Sequence, residues 1–272
     1  MYLLYNGECI PENELRMPLN NRAFQFNDGF FETIILDKGT LRFWPDHLAR
    51  MQSAAQSLQM QLPSFFASTS LEKQLLQLAE QNQLIDKGRL KLKVWRAGAG
   101  LYTPETNDIE WLATISPVQT TIQQALQIGV CRNVFTNHSP LSYFKGPNAL
   151  LYVLAGIEKK EQNYDDMLLL NRQGIVSELI SSNIFWLKEE VLHTPALDTG
   201  CVNGIARRNI LRWCTNQSIK VKEVYFNPDK LQHADAVFAA NVTGIRSIAS
   251  INRVEIKTDQ AFIDKMQQAI FS

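Results

Sequence analysis

The chain has 272 residues, 45% of them hydrophobic and 20% charged, with 27 acidic residues balancing 27 basic ones. That length can bury one large core or two ordinary ones, and the balance supplies no global field to recruit nucleic acid or an acidic membrane. Four cysteines with no C-x-x-C pair and four histidines with no H-x-x-x-H argue against a zinc site of local spacing, and no apolar run is long enough to cross a bilayer.

The N-terminus, Met1-Tyr-Leu-Leu-Tyr, lacks a basic segment and a long apolar one, so it reads as a strand rather than a signal peptide. With reduced, packed cysteines this fits a cytoplasmic protein. Asn6-Gly7 between short apolar runs predicts a hairpin. The stretch Asn21-Arg-Ala-Phe-Gln-Phe-Asn27-Asp28-Gly29 ends in a turn, and a strand over 30–36, a turn at 37–39 and a returning strand over 40–43 follow. The spacing of Leu48, Met51, Ala55 and Leu58 predicts a helix over 45–60, with Arg50 beside the stripe and read as solvated. A second helix is expected over 64–82. Residues 89–96 and 110–116 read as strands joined by a flexible loop at Ala97-Gly-Ala-Gly100, which is no dinucleotide fingerprint.

Residues 118–127, polar and aperiodic, read as a linker between an N-terminal domain, 1–117, and a C-terminal domain, 128–272. Beyond it a strand over 128–133 leads to Ser142-Tyr-Phe-Lys145-Gly-Pro-Asn148. Pro147 suits a first helical turn, so Lys145 is placed just before a helix over 149–162 that buries Leu150, Val153, Leu154 and Ile157. Strands are expected over 167–170, 175–179, 184–188, 191–194, 220–226, 235–240 and 253–257. Helices are expected from 203 (with Ile205, Ile210, Leu211 and Cys214 inward) and over 260–270.

An amine flanked by bulky apolar residues at a helix start is poorly solvated as an ammonium, and a neutral lysine can form a Schiff base. An ordinary solvated lysine is the alternative. Glu178 sits in an otherwise apolar strand and needs a cationic partner if buried. Gly204-Ile205-Ala206 at a helix start and Val242-Thr243 in a turn offer backbone N–H groups that suit a phosphate. An aldehyde, a pyridinium nitrogen and a phosphate on one small molecule describe pyridoxal 5′-phosphate. Taken singly, Glu178 as an edge-strand surface residue and Gly204 as a plain helix entry are the simpler readings.

In order and spacing these segments resemble the fold-type IV pyridoxal-phosphate family, which includes aminodeoxychorismate lyases and the branched-chain and D-amino acid aminotransferases. Asp28-Gly29-Phe30-Phe31-Glu32, His47-Leu-Ala-Arg50-Met51, Val176-Ser-Glu178 through Ser182-Asn183-Ile-Phe185, and Gly204-Ile-Ala-Arg207 carry the resemblance over nearly the whole chain. It implies an α/β (α+β) fold of the D-amino acid aminotransferase type. A smaller α/β N-terminal domain would join a larger β-rich one, with the cofactor in the cleft between them, in a homodimer whose partner chain completes the site. It implies that Lys145 is the Schiff-base lysine and proton shuttle, that Glu178 binds the pyridine nitrogen, and that Arg50 reaches the phosphate. Ile205, Ala206, Val242 and Thr243 would complete the phosphate cup, with Asn183 holding the loop beside the ring and Arg207 supporting the helix.

Leu92-Lys-Val-Trp-Arg96-Ala-Gly-Ala-Gly100 and Cys201-Val-Asn-Gly-Ile205 look most like the lyases, which eliminate pyruvate from 4-amino-4-deoxychorismate to give p-aminobenzoate for folate synthesis. A class IV aminotransferase is the alternative, because the cofactor machinery is shared. Departures are Asn27 where glycine is usual, the segment Lys145-Gly-Pro-Asn148, and Leu101-Tyr102 where the lyases carry a second arginine. Arg96 and Tyr102 are the substrate-contact candidates. For Arg96, a strand end facing water is an equal reading.

Overall fold

Strict alternation along residues 87–94 puts Leu90, Leu92 and Val94 on one buried face and Arg89, Lys91 and Lys93 on an exposed one. In the computed structural model, which describes residues 1–118 and 124–272, that strand lies in the middle of a six-stranded antiparallel sheet. The chain divides into two compact units, Met1–Thr120 with Phe144–Pro147, and Thr121–Tyr143 with Asn148–Ser272.

The first unit runs β1 (Tyr2–Tyr5), β2 (Glu8–Pro11), α1 (Arg22–Phe26), β3 (Gly29–Asp37), β4 (Thr40–Leu41), α2 (Trp44–Ser57), α3 (Thr69–Gln81), β5 (Lys87–Arg96) and β6 (Ile109–Ser116). Its strand order is β2-β1-β6-β5-β3-β4. The returning strand expected over 40–43 stops at Leu41, because Phe43 turns left-handed (φ 58°) and caps α2. The second expected helix begins as a 3₁₀ turn, Ser64–Ala67, and restarts at Thr69 under the Ser68 side-chain cap. In α2 the inward residues are Trp44, His47, Arg50, Met51, Ala54 and Ala55. Arg50, read as solvated, is thus a core residue.

The second unit runs β7 (Leu126–Val130), α4 (Ala149–Gln162), β8 (Asp166–Leu170), β9 (Val176–Leu179), β10 (Asn183–Lys188), β11 (Val191–Pro195), α5 (Ile205–Asn216), β12 (Val221–Val224), β13 (Ala236–Asn241), β14 (Gly244–Ile251), β15 (Val254–Glu255) and α6 (Gln260–Phe271). Its strands form the order β12-β11-β10-β13-β14-β7-β8-β9, with β15 on β14. Pairings β11–β12, β14–β7 and β7–β8 are parallel. Leu126, Ile128, Leu168, Val176, Leu179, Ile184, Trp186, Val237 and Ile248 make its core.

Three expectations change here. Of the linker assigned to 118–127, residues 119–123 lie outside the described residues, and its end is already strand, because Leu126 is buried and paired to Ile248. Helix α4 has the expected bounds but the opposite face is inward. Leu150, Val153, Leu154 and Ile157 are 51–76% exposed, and Ala155 and Glu158 are buried. The cause is Glu158, whose carboxylate accepts the Arg132 and Asn133 amides and the Cys131 thiol at 3.0–3.3 Å. Turning that face outward would strand those donors. Finally, Pro147 stands before the helix rather than in its first turn, and Asn148 is the N-cap.

Candidate active site

Lys145 belongs to the first unit, although the sequence places it in the C-terminal domain. The reason is backbone docking. The Phe31 amide donates to the Lys145 carbonyl at 2.9 Å, and Asn27 Nδ2 donates to the Gly146 carbonyl at 2.9 Å. The Phe144 ring meets Phe30 edge-on, with centroids 6.3 Å apart. A Cβ at Gly146 would lie 2.5 Å from the Gly29 carbonyl oxygen and 2.8 Å from Phe30 Cα, so only glycine permits this approach. Asn27 closes α1 in the left-handed conformation (φ 51°), which asparagine tolerates best after glycine. Its amide then holds Gly146, which accounts for asparagine at that departure.

Arg50 is 2% exposed, and its guanidinium is gripped by Glu32 on β3: Nε to Oε1 at 2.7 Å and Nη2 to Oε2 at 2.5 Å. His47 Nδ1 meets the same Oε2 at 2.6 Å. Burial pushes the Glu32 carboxyl up, but the Arg50 charge and the hydrogen bonds from His47 and Arg50 outweigh it and hold it at about 2. An ionised carboxylate only accepts, so the His47 proton sits on Nδ1. Burial first, then the positive Arg50 and Lys145, keep this imidazole below its usual range against the pull of Glu32.

In the second unit Glu178, on β9, is 3% exposed. Tyr152 O–H donates to its Oε1 at 2.7 Å, and the Val202 amide to its Oε2 at 3.1 Å. Burial, with Glu178 adding, raises the Tyr152 phenol well above its usual range, so Tyr152 is a fixed donor. Burial, again with Glu178 adding, pushes the Cys201 thiol to about 12. Asn183, opening β10, donates Nδ2 to the Val202 carbonyl at 2.8 Å. Glu178 and Asn183 therefore hold both polar groups of Val202, two residues before Gly204. A Cβ on Gly204 would fall 2.0 Å from Asn183 Oδ1. Gly204 caps α5 without a side-chain hydrogen bond, so the helix start keeps backbone donors for an anion. Ile205 and Ala206 are buried there. Arg207 is buried too, and donates to the Pro195 carbonyl and the Glu223 carboxylate. The turn carrying Val242 and Thr243 is shaped by Asn241, whose Oδ1 accepts the Thr243 amide at 2.9 Å and whose Nδ2 reaches Ser182 Oγ at 3.1 Å.

Arg96 takes neither of its expected roles. It is 7% exposed, and its nitrogens go to Asp28 at 3.0 Å, Asn107 at 2.5 Å and the Leu58 carbonyl at 2.6 Å. Tyr102 is 91% exposed. Glu32 and Tyr152 received no role from the sequence. Glu32 could have been found by the signal that singled out Glu178, an acid inside an apolar strand. Tyr152 carried no such mark.

The donor set fits pyridoxal phosphate in chemistry. A buried carboxylate that keeps two neutral donors suits a pyridinium, and an uncapped helix start behind a glycine that only a missing Cβ allows suits a phosphate. Comparison with known proteins points the same way. The amino-transferase class IV family model matches residues 29–251. An aminodeoxychorismate lyase of Vibrio harveyi is 29% identical over 256 residues, covering 90% of this chain and 91% of that one. A D-alanine aminotransferase of Bacillus licheniformis is 30% identical over 252 residues, covering 89% and 85%. The crystal structure of 4-amino-4-deoxychorismate lyase from Pseudomonas aeruginosa superposes with a TM-score of 0.86 at 25% identity, covering 98% of this chain and 97% of that one.

Proposed function

This chain belongs to the class IV aminotransferase family, an enzyme family of fold type IV that uses pyridoxal 5′-phosphate, and we propose that it is the lyase that eliminates pyruvate from 4-amino-4-deoxychorismate to give p-aminobenzoate. The observation that carries the cofactor reading is the joint hold of Glu178 and Asn183 on Val202 ahead of Gly204. The similarity to the Vibrio harveyi lyase over 90% of the chain supports the reaction.

The cofactor supplies an electron sink for the carbon that bears the substrate's amino group. Lys145 would hold its aldehyde and move the proton at that carbon. Glu178, which accepts from the Tyr152 hydroxyl and the Val202 amide, would hold the pyridine nitrogen protonated. Gly204, Ile205, Ala206, Val242 and Thr243 would line the phosphate, with the Ile205 and Ala206 amides at the α5 start donating to it, and Arg50, aimed by Glu32, would add its charge. Asn183 and Arg207 keep the α5 start in place. Tyr102 contacts the substrate. Arg96 serves the frame instead, since its donors are spent on protein acceptors.

The enzyme works as a cytoplasmic homodimer in this reading. The exposed stripe Leu150, Val153, Leu154 and Ile157 is the kind of face a partner copy covers. Among the described residues no helix is long and apolar enough to cross a membrane.

The purified protein should be yellow, and borohydride should fix the colour on Lys145. A colourless protein that ignores added pyridoxal phosphate ends the cofactor reading. Pyruvate release from aminodeoxychorismate without any keto acid supports the lyase. The second reading, a D-amino acid aminotransferase, is favoured by the 30% identity to the Bacillus licheniformis enzyme. It predicts activity only when an amino acid and a keto acid are both present.

A further inference from the structure

The loop over residues 97–105 carries two of the most exposed large apolar side chains in the described chain, Leu101 at 80% and Tyr102 at 91%. The sequence predicts it to be flexible, yet its backbone is tightly held. Gly98 (φ 76°) and Gly100 (φ 93°) take left-handed turns, Gly100 bridges to Pro104, and the Ala97 amide donates to the Asp108 carbonyl at 2.9 Å. The main hold comes from a side chain 77–79 residues upstream. Arg22, 3% exposed, donates Nη1 to the carbonyls of Ala99 at 3.1 Å, Gly100 at 3.4 Å and Leu101 at 2.7 Å.

Arg22 is itself fixed. Its Nε donates to Asp28 Oδ2 at 2.7 Å, and the same oxygen accepts Arg96 Nε at 3.0 Å. One carboxylate thus locks two buried guanidiniums, and Arg96 ties the cluster onward to Leu58 and Asn107. The Arg22 guanidinium also lies 4.9 Å from the centre of the Phe26 ring, and Phe26 stands 5.7 Å from Tyr102, tilted 46°. Tyr102 is therefore reached from Arg22 by two routes, through the carbonyls behind its backbone and through the Phe26 ring beside its phenol. A planar fork can hold several carbonyls at a fixed angle in a way an ammonium cannot. So large an outlay of buried charge on one surface loop is unexpected unless the position of that loop matters.

We propose that Arg22, oriented by Asp28, is the positioning residue that sets where Tyr102 stands and so governs substrate selection by this loop. This rests on the reading of Tyr102 as a substrate contact, and the test separates the two. The first arm needs no substrate. Chymotrypsin should cut the native holoenzyme slowly after Leu101 and Tyr102 despite their exposure, and Arg22→Lys should speed that cleavage at least tenfold while the melting transition stays cooperative. If folded Arg22→Lys is cut at the wild-type rate, the lock is overturned. Should Arg22→Lys fail to fold, Asp28→Asn is read the same way.

The second arm is a double-mutant cycle. Arg22→Lys should raise KM for the amino substrate about tenfold, leaving kcat and the affinity for pyridoxal phosphate within twofold. In a Tyr102→Ala background it should add nothing, because its effect passes through the tyrosine. Additive changes in KM overturn the positioning role. If Tyr102→Ala alone leaves KM unchanged while the lock holds, the substrate contact is wrong and the selection claim falls with it.

Discussion

Single side chains decide this protein's electrostatics. Glu32 anchors the Arg50 fork and the His47 proton. Glu32→Gln removes the countercharge of a buried guanidinium and should cost about 3–5 kcal/mol in urea denaturation. The sign with pH follows from a folded pKa of about 2 against an ordinary 4.5. The contribution is complete above the unfolded value and is lost as pH falls toward 2, about 3 kcal/mol in all. The variant should lack that acid-side slope. Asp166 behaves in the opposite sense. Burial raises it from 3.8 to about 6, while its Oδ1 accepts the Met167 and Ile180 amides at 2.8 and 3.2 Å. The native state therefore binds the extra proton, and stability falls as pH rises from about 4 to 6. Asp166→Asn keeps an acceptor for both amides and loses the charge. It should raise stability at pH 7 by about 1–3 kcal/mol and flatten that slope; an unchanged profile would mean that Asp166 is ordinarily solvated.

At the scale of elements, the start of α5 and the outer face of α4 carry the testable consequences. A methyl on Gly204 must displace Asn183 or the helix start, since its Cβ would sit 2.0 Å from Asn183 Oδ1. A shift of that kind costs about 1–3 kcal/mol, so Gly204→Ala should weaken pyridoxal phosphate binding by about 5- to 150-fold in a titration of the apoprotein. Leu154, 51% exposed, lies on the α4 stripe. Leu154→Lys should keep the circular dichroism spectrum and move the sedimentation mass from dimer to monomer. A dimer that survives this change places the interface elsewhere. The α4 helix also shows the limit of periodicity. The spacing of Leu150, Val153, Leu154 and Ile157 is that of an apolar stripe, and it says nothing about which side of the helix meets its own chain. That was settled by Glu158, which gathers amides of residues 132 and 133.

For the molecule as a whole, binding should show as stability. Saturating pyridoxal phosphate at about a hundred times its Kd adds about 2.7 kcal/mol to any state that binds it, a rise of about 5–10 °C in the melting midpoint. Lys145→Ala removes the covalent hold and should shrink that rise. Equal shifts for both proteins would detach the lysine from the cofactor. The Lys145 segment, grouped with the first unit through Phe31 and Asn27, means that a long stretch of chain must be in place before this lysine is positioned.

The sequence by itself determined the family, most of the helices and strands, and the suspicion attached to Lys145 and Glu178. Those signals are local: a period, a turn residue, an acid in an apolar run, a motif of a few residues. Only the tertiary structure decided that Arg50 is a core residue held by Glu32, that Arg96 belongs to the frame, that Arg22 bonds the carbonyls of a glycine-rich loop, and that α4 turns Leu150, Val153, Leu154 and Ile157 outward. Each of those depends on a partner far along the chain. Charges 18 residues apart meet in Glu32 and Arg50, and groups 79 apart meet in Arg22 and Leu101. A buried charge is tolerable only where such a partner arrives, and no spacing along the chain encodes that arrival.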